Sequence, residues 1–533
     1  MSPTYTNKQY DAKKGTHIIM ENAQKPKKSF LGYAVIMAAI TVVAKFLGLF
    51  RDILVANYYG MTMEAVAYDA ASRLPVTVFD LVIGGVVTAA FIPVFNSIMV
   101  RRGKEDAMKF ANSYVNFILI ICIIIAAFGM LFAEALVSAI APGITAEATV
   151  LAVKLTRIMF PMIIFTGLAF SFVGILQSMG EYNIPALISL VSNVIMVTYL
   201  FTLNTFFGVV GLGVSMIIGW AAQAFVQAPK AHSLGFRYRP TLKIFDRDLL
   251  RAAKNSIPIL IGTWTVPVCS LINSRYASDI EEGRGMTAIG YANRLYIMLV
   301  GIFSFVATNL LFPFFSKAEA EGDRDGAMKM MRTSVKALVY IIAPITVGLI
   351  LLAVPFTSLV YERGQFGPAE TALTATALQG YAVGMIFMAA NEVIVKALFA
   401  AEKPQVSMIS SLVSMAFNIV IVIFLSERFG VGGIALATAI STILNLAINL
   451  AVSHKLYICR FNLRDIIDIA VSIISSAAMI PVIMLVSSHV SNSILAIALS
   501  VIAAAPVYFA VSLILRSEEA GFIVKGLLKK GKN

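Results

Sequence analysis

The chain has 533 residues, of which 59% are hydrophobic and only 13% charged, and its mean hydropathy is +0.84. That balance excludes an ordinary soluble domain and points to a polytopic membrane protein. The formal net charge of +13 would suit nucleic acid, but the cations gather between apolar runs, where membrane topology and anionic lipid account for them.

Residues 1–30 are polar, carry six lysines, and read as a cytoplasmic tail. No cleavable signal peptide is expected, because the first apolar run is too long for a signal core. Fourteen apolar runs follow, at 31–59, 66–99, 111–140, 149–178, 184–206, 209–233, 255–279, 286–315, 335–361, 371–400, 405–426, 431–454, 465–488 and 491–515. Each is long enough to cross a hydrocarbon core of ~30 Å. None shows the alternation of a barrel strand, so the expected fold is all-α with about 14 transmembrane helices. With the N-terminus inside, the inner segments hold 31 of the 42 Lys and Arg, and the outer loops only Arg284, Arg363 and Arg428. Both termini are therefore expected in the cytoplasm.

The remaining cations lie within the runs. Lys45 and Arg51, followed by Asp52, are in the first; Asp69, Arg73 and Asp80 in the second; Arg275 in the seventh; Arg294 in the eighth; Glu392 and Lys396 in the tenth. A cation in hydrocarbon costs about 2.5–3.5 kcal/mol on insertion scales, so several of them imply a shared polar cavity. At 1.5 Å per residue, Lys45 lies ~20 Å from the inner end of its span and Arg51 ~9 Å further out. Six cations stand against four acids in this set. That excess disfavours a cation exporter and suits an anion, with arginine offering a planar fork to phosphate and lysine a point charge. Structural readings stand beside these. Asp69 with Arg73, and Glu392 with Lys396, are four apart and can neutralise each other. Lys154 and Arg157, near a span end, can snorkel. Asp52 and Asp80 read as charge partners rather than proton carriers.

Cys122, Cys269 and Cys459 and four scattered histidines form no disulfide or zinc pattern. No metal or cofactor is expected, and no nucleophile motif or acid–base cluster suggests an enzyme.

The sequence also repeats. Pro93 and Ala107-Met108-Lys109 recur at an offset of 220, as Pro313 and Ala327-Met328-Lys329. Ser189-Leu190-Val191-Ser192 and Phe207-Gly208-Val209 recur at 222, as Ser411-Leu412-Val413-Ser414 and Phe429-Gly430-Val431. Six spans per copy is an even number, so the two lobes are expected to be parallel, with the substrate path between them. The expected units are the lobe 31–233, a basic linker 234–254, the lobe 255–457, two further spans over 458–515 and a cytoplasmic tail 516–533. Phe236, Tyr238, Leu242, Ile244 and Phe245 leave two readings of the linker open, a helix flat on the inner interface or a solvated connection.

The segments AKFLGLFRDILVANYYG (44–60), AYDAASRLP (67–75), AAFIPVFN (89–96), RIMFP (157–161), GILQSMGEYNIPA (174–186), YANRL (291–295) and YERGQFGPAET (361–371) resemble those of the MurJ family of lipid II flippases, in family order and over nearly the whole chain. The resemblance implies two six-helix lobes in the MOP-superfamily arrangement plus two helices that form a groove for a polyprenyl tail. It also implies a lipid-linked peptidoglycan precursor, moved from the inner to the outer leaflet of the bacterial plasma membrane. Lys45, Arg51, Arg73 and Arg294 match its basic positions and would bind the diphosphate, with Arg275 a fifth candidate. Phe79 and Asp80 stand where many members have further arginine. Some members are proposed to bind sodium through carboxylates; Asn273, Ser414 and Asn418 stand there instead, and that site is not carried over. Lipid II or a related polyprenyl-diphosphate sugar, membrane lipids and cell-wall synthesis proteins are the candidate partners. An exporter of another polyprenyl-diphosphate-linked oligosaccharide, or a MATE-like small-molecule exporter, is the alternative.

Overall fold

Polar caps and glycine turns punctuate a chain that is otherwise helix. In this computed structural model the described residues are 28–83, 91–240, 247–250, 252, 254, 263–306, 311–456 and 458–530. The helices are α1 (Lys28–Tyr59), α2 (Met63–Val82), α3 (Ile92–Arg102), α4 (Lys104–Leu131), α5 (Ala133–Ile140), α6 (Ala146–Met159), α7 (Met162–Ser178), α8 (Asn183–Thr202), α9 (Asn204–Ser233), α10 (Thr265–Ser278), α11 (Arg284–Val306), α12 (Phe312–Ala320), α13 (Arg324–Leu351), α14 (Ala353–Tyr361), α15 (Pro368–Val383), α16 (Met385–Ala400), α17 (Pro404–Lys455), α18 (Leu463–Ala477), α19 (Ile480–His489), α20 (Ser493–Ile514) and α21 (Glu518–Lys530). Among the described residues there is no strand, only an isolated bridge between Arg363 and Phe366. At four helix starts an N-cap side chain satisfies free backbone N–H groups. Thr145 accepts from Ala148, Asp323 from Gly326, and Asn492 from Ile494 and Leu495, while Asn462 and Asp465 cap each other's backbone at the start of α18.

Seven helices or helix pairs among the described residues are long and apolar enough to cross a membrane, and two pairs bent at a short break raise this to nine. The sequence reading gives fourteen. The difference has physical sources. α17 runs through two expected spans, joined at Gly430. Glu64, Asp69, Arg73 and Asp80 dilute α2. Parts of the second, seventh and eighth expected spans lie outside the described residues.

The repeat is visible in backbone geometry. Gly208 has φ 52° and ψ −147°; Gly430, 222 positions later, has φ 56° and ψ −134°. Such torsions are nearly confined to glycine. The two bent pairs are equivalent as well: α6 with α7 bends by 40°, and α15 with α16 by 44°. α1 packs on α8, α2 on α6, and α9 on α7 and α8, while α17 packs against α10, α15 and α16. The halves meet where α10 and α11 lie on α2, α10 on α5, and α14 on α1. α18, α19 and α20, outside the repeat, pack on α13, α14 and one another.

The linker's first part is a docked strap. Phe236 is buried edge-on against Phe172, Tyr238 donates to Asn116, and Asn112 exchanges hydrogen bonds with the Arg239 backbone. Leu242, Ile244 and Phe245 lie outside the described residues.

Candidate functional site

A cavity of about 300 Å³ lies between the halves, lined by α1, α2, α8, α9, α10 and α11. Arg51, Asp52, Asp69, Arg73, Asp80 and Arg294 all line it. Three arginines thus face three aspartates, and the lining is balanced rather than positive. The expected excess rested on Lys45, Arg275 and Lys396, which are not among the lining residues.

The arginines are held, and by both halves. Arg51 donates from Nε and Nη2 to the same Asp52 oxygen, at 3.0 and 2.7 Å, and from Nη1 to Asn193 Oδ1 at 2.9 Å. The other Asp52 oxygen is 3.6 Å from Arg294 Nε. Asp52, itself buried, therefore stands between an arginine of each half. Arg294 lies 5.4 Å over the ring of Tyr291. Arg73 gives Nε and Nη2 to Asp69 at 2.9 and 2.8 Å, then reaches across to Ser274 Oγ and the Met286 carbonyl, each at 3.2 Å. A Cβ on Gly290 would stand 2.5 Å from Arg73 Nη2, so the cation lies against bare backbone.

Lys45 is exposed and lies one helical stretch nearer the start of α1, with Nζ 2.8 Å from where a Cβ on Gly301 would be. Arg275 turns away to Asp279, at 2.7 Å, and lies over Tyr276. Lys396 rests 5.8 Å over Phe399, and neither it nor Glu392 lines the cavity. Lys154 and Arg157 are both exposed on α6.

Sequence reasoning missed Asn193, Met196, Ser274 and the Met286 carbonyl. Asn193 has a signal of a kind, a lone amide in an apolar span. Its Nδ2 donates to the Ala44 carbonyl while Oδ1 holds Arg51, so it pins both the backbone and the guanidinium of α1. The Met286 carbonyl has no sequence signal at all.

At the end where α1 turns into α2, the halves interlock through main-chain N–H donors. Gln365 N donates to the Asn57 carbonyl at 2.9 Å, and Gly143 N donates to Ser278 Oγ at 3.3 Å. A side chain on Gly60 would run into the Gln365 carbonyl, and one on Gly364 into that of Asn57. Tyr361 and Phe366 bury their rings against Tyr291 beneath Arg294. At the opposite end Trp264 Nε1 donates to the Leu81 carbonyl at 2.7 Å. The cavity is thus bridged at both ends.

The model of the lipid II flippase MurJ family matches residues 55–515. The chain belongs to the lipid II flippase MurJ family. Curated MurJ relatives include a probable lipid II flippase of Buchnera aphidicola subsp. Acyrthosiphon pisum, 26% identical over 79% of this chain and 82% of its own length. Another is the lipid II flippase of Thermosipho africanus, 25% identical over 78% of this chain and 84% of its own. A solved lipid II flippase MurJ in an inward closed conformation superposes with TM-score 0.78 at 24% identity, over 90% of this chain and 98% of that one. An inward-facing multidrug resistance MATE transporter of the MOP superfamily shares the fold, with TM-score 0.65 at 14% identity over 80% and 98%. MurJ is a transporter family, so this chain is a flippase and not an enzyme. The all-α fold expected from the sequence is the MurJ fold.

Proposed function

We propose that the cavity holds the diphosphate of lipid II while the chain moves the lipid from the inner to the outer leaflet, by alternating access. A chain of this family with several apolar helices is a multi-pass protein of the bacterial inner membrane. The observation that carries the reading is the shared carboxylate. Asp52 joins Arg51 of one half to Arg294 of the other, and Asp69 holds Arg73 beside Ser274 and Met286 of the opposite half. A diphosphate offers more negative charge than one carboxylate and accepts bidentate pairs from arginine. It would take over the guanidinium donors that now face Asp52 and Asp69. Contacts across the halves would thereby be exchanged for contacts to substrate, which couples binding to the closure of one end and the opening of the other.

In this reading, residues 31–233 and 255–457 move against each other, the fourteen spans place both termini in the cytoplasm, and residues 458–515 hold the polyprenyl tail. Lys45, at the middle of its span and nearer the inner end than Arg51, meets the headgroup before Arg51 does. An inside-negative potential assists an anion's exit by about 2.3 kcal/mol per charge per 100 mV, if the charge crosses the whole field. Enzymes that build the cell wall from lipid II on the outer face are the partner class this reading names.

The test is depletion of the protein in its host, with measurement of the leaflet in which lipid II accumulates, and rescue by wild type but not by Arg294→Ala. Inner-leaflet accumulation supports the proposal. An unchanged leaflet distribution on depletion, or accumulation of a different polyprenyl-linked sugar, overturns it.

A further inference from the structure

We propose that α21 is a docking surface for anionic phospholipid of the leaflet adjoining the C-terminus. α20, an apolar helix long enough to cross the membrane, ends at Ile514. Arg516 then takes φ 59°, a sharp turn, and α21 starts at Glu518. With so little chain between them, α21 begins at the membrane surface.

Its first turn is fastened to the bundle. Lys336 Nζ donates to Glu518 at 2.5 Å and lies 3.9 Å from Glu519, while Ser517 Oγ donates to Glu519 at 3.0 Å. Ala520 is fully buried in a cluster with Tyr340, Met479 and Tyr508. The only two acids after Ser517 are thus both engaged by Lys336. Apart from these two acids, the sequence from Arg516 to Asn533 carries only cations: Arg516, Lys525, Lys529, Lys530 and Lys532. Beyond the fastened turn, Phe522 is 79% exposed and Ile523 41%. An exposed aromatic and an exposed aliphatic residue in a cation-rich stretch of sequence, on a helix that starts at the surface, fit the interface of an anionic leaflet. Net positive charge complements acidic headgroups, and a neutral surface would satisfy only the apolar half of the helix.

The full chain, with Phe522→Cys carrying a nitroxide, would be reconstituted into vesicles of phosphatidylcholine alone or mixed with phosphatidylglycerol. In the mixed vesicles the label is expected to lose collisions with a water-soluble relaxing agent and gain them with oxygen. High salt, or Lys525→Gln with Lys529→Gln and Lys530→Gln, is expected to reverse the change. Equal accessibility in the two lipids overturns the proposal. So does protection that appears only on adding a soluble protein fraction, which would make α21 a protein-docking helix. Because Phe522 is exposed and remote from the cavity, lipid II transport by the labelled chain serves as the check that it is folded.

Discussion

Asp52 touches an arginine on each side of the cavity, and that contact sets what single substitutions should do. Arg294 meets Asp52 through its guanidinium and lies over Tyr291. Lysine keeps the charge but loses the planar fork. Arg294→Lys is therefore expected to lower flipping several-fold, and Arg294→Ala to lower it further at near-normal abundance, measured by complementation with quantified membrane protein. Loss of the protein itself in Arg294→Ala would assign the residue to folding. Gly301 bears on Lys45 in the same way. Any Cβ there would stand 2.8 Å from the ammonium, so Gly301→Val should displace Lys45. Its flipping defect is expected to match that of Lys45→Ala, and the double variant to be no worse than either single one. Additive defects would show that Gly301 acts elsewhere.

Helices bring their own requirements. Gly208 and Gly430 hold equivalent left-handed torsions, with open space where a side chain would be. Alanine at either is expected to destabilise by about 1–3 kcal/mol through backbone strain alone, as read from thermal unfolding in detergent. An equal tolerance of alanine and glycine at both would contradict the turn geometry. The contact of α13 with α18 depends on charge. Lys336, with a side chain only 6% exposed, faces Asp465 and Asp468 at 3.4 and 2.9 Å and reaches α21 through Glu518. Lys336→Met would leave Asp468 buried without its cation, at a cost of about 3–5 kcal/mol, and is expected to loosen α18 and free α21 to protease. The hydrogen bond from Lys336 holds the Glu518 carboxyl below the ordinary glutamate range, and Arg464 adds to the effect. A lowered folded-state value means that this fastening is complete above the ordinary glutamate range and is lost as pH falls through the folded value. Acid exposure should therefore release α21, and Glu518→Gln should abolish that acid step. Release unaltered by Glu518→Gln would place the titrating group elsewhere.

Across the whole molecule, the two ends of the cavity are closed by different chemistry. One end uses the main chain, Gln365 N–H against the Asn57 carbonyl and Gly143 N–H against the Ser278 hydroxyl, where glycine allows close approach. At the other, among the described residues, the Trp264 indole donates to the Leu81 carbonyl. The link from Gln365 to Asn57 has no side-chain freedom, so the main-chain end must part as a unit when the halves rock. Spin labels at 57 and 365 are expected to show a short distance here and a longer second population under conditions that trap the opposite state. A single short distance in every condition, in a transport-competent chain, would count against rocking of one half on the other.

Spacing and composition alone determined the all-helical membrane class and singled out six of the charged residues that line the cavity. Hydrocarbon admits few alternatives to helix, and charge inside it is rare enough to be informative. Arg51, Asp52, Asp69, Arg73, Asp80 and Arg294 were legible because each is costly where it stands. Only the tertiary structure decided which of those charges meet. Arg275 and Lys396 read like cavity cations but turn to Asp279 and Phe399, since helical rotation about the span axis is set by packing and not by depth. Lys336 stands at the start of the apolar run 335–361 with no acidic partner nearby in sequence, yet lies buried where α18 and α21 converge on α13. Asn193, Ser274 and the Met286 carbonyl acquire meaning only when a helix distant in sequence brings an arginine to them, and no local pattern records a partner more than 140 residues away.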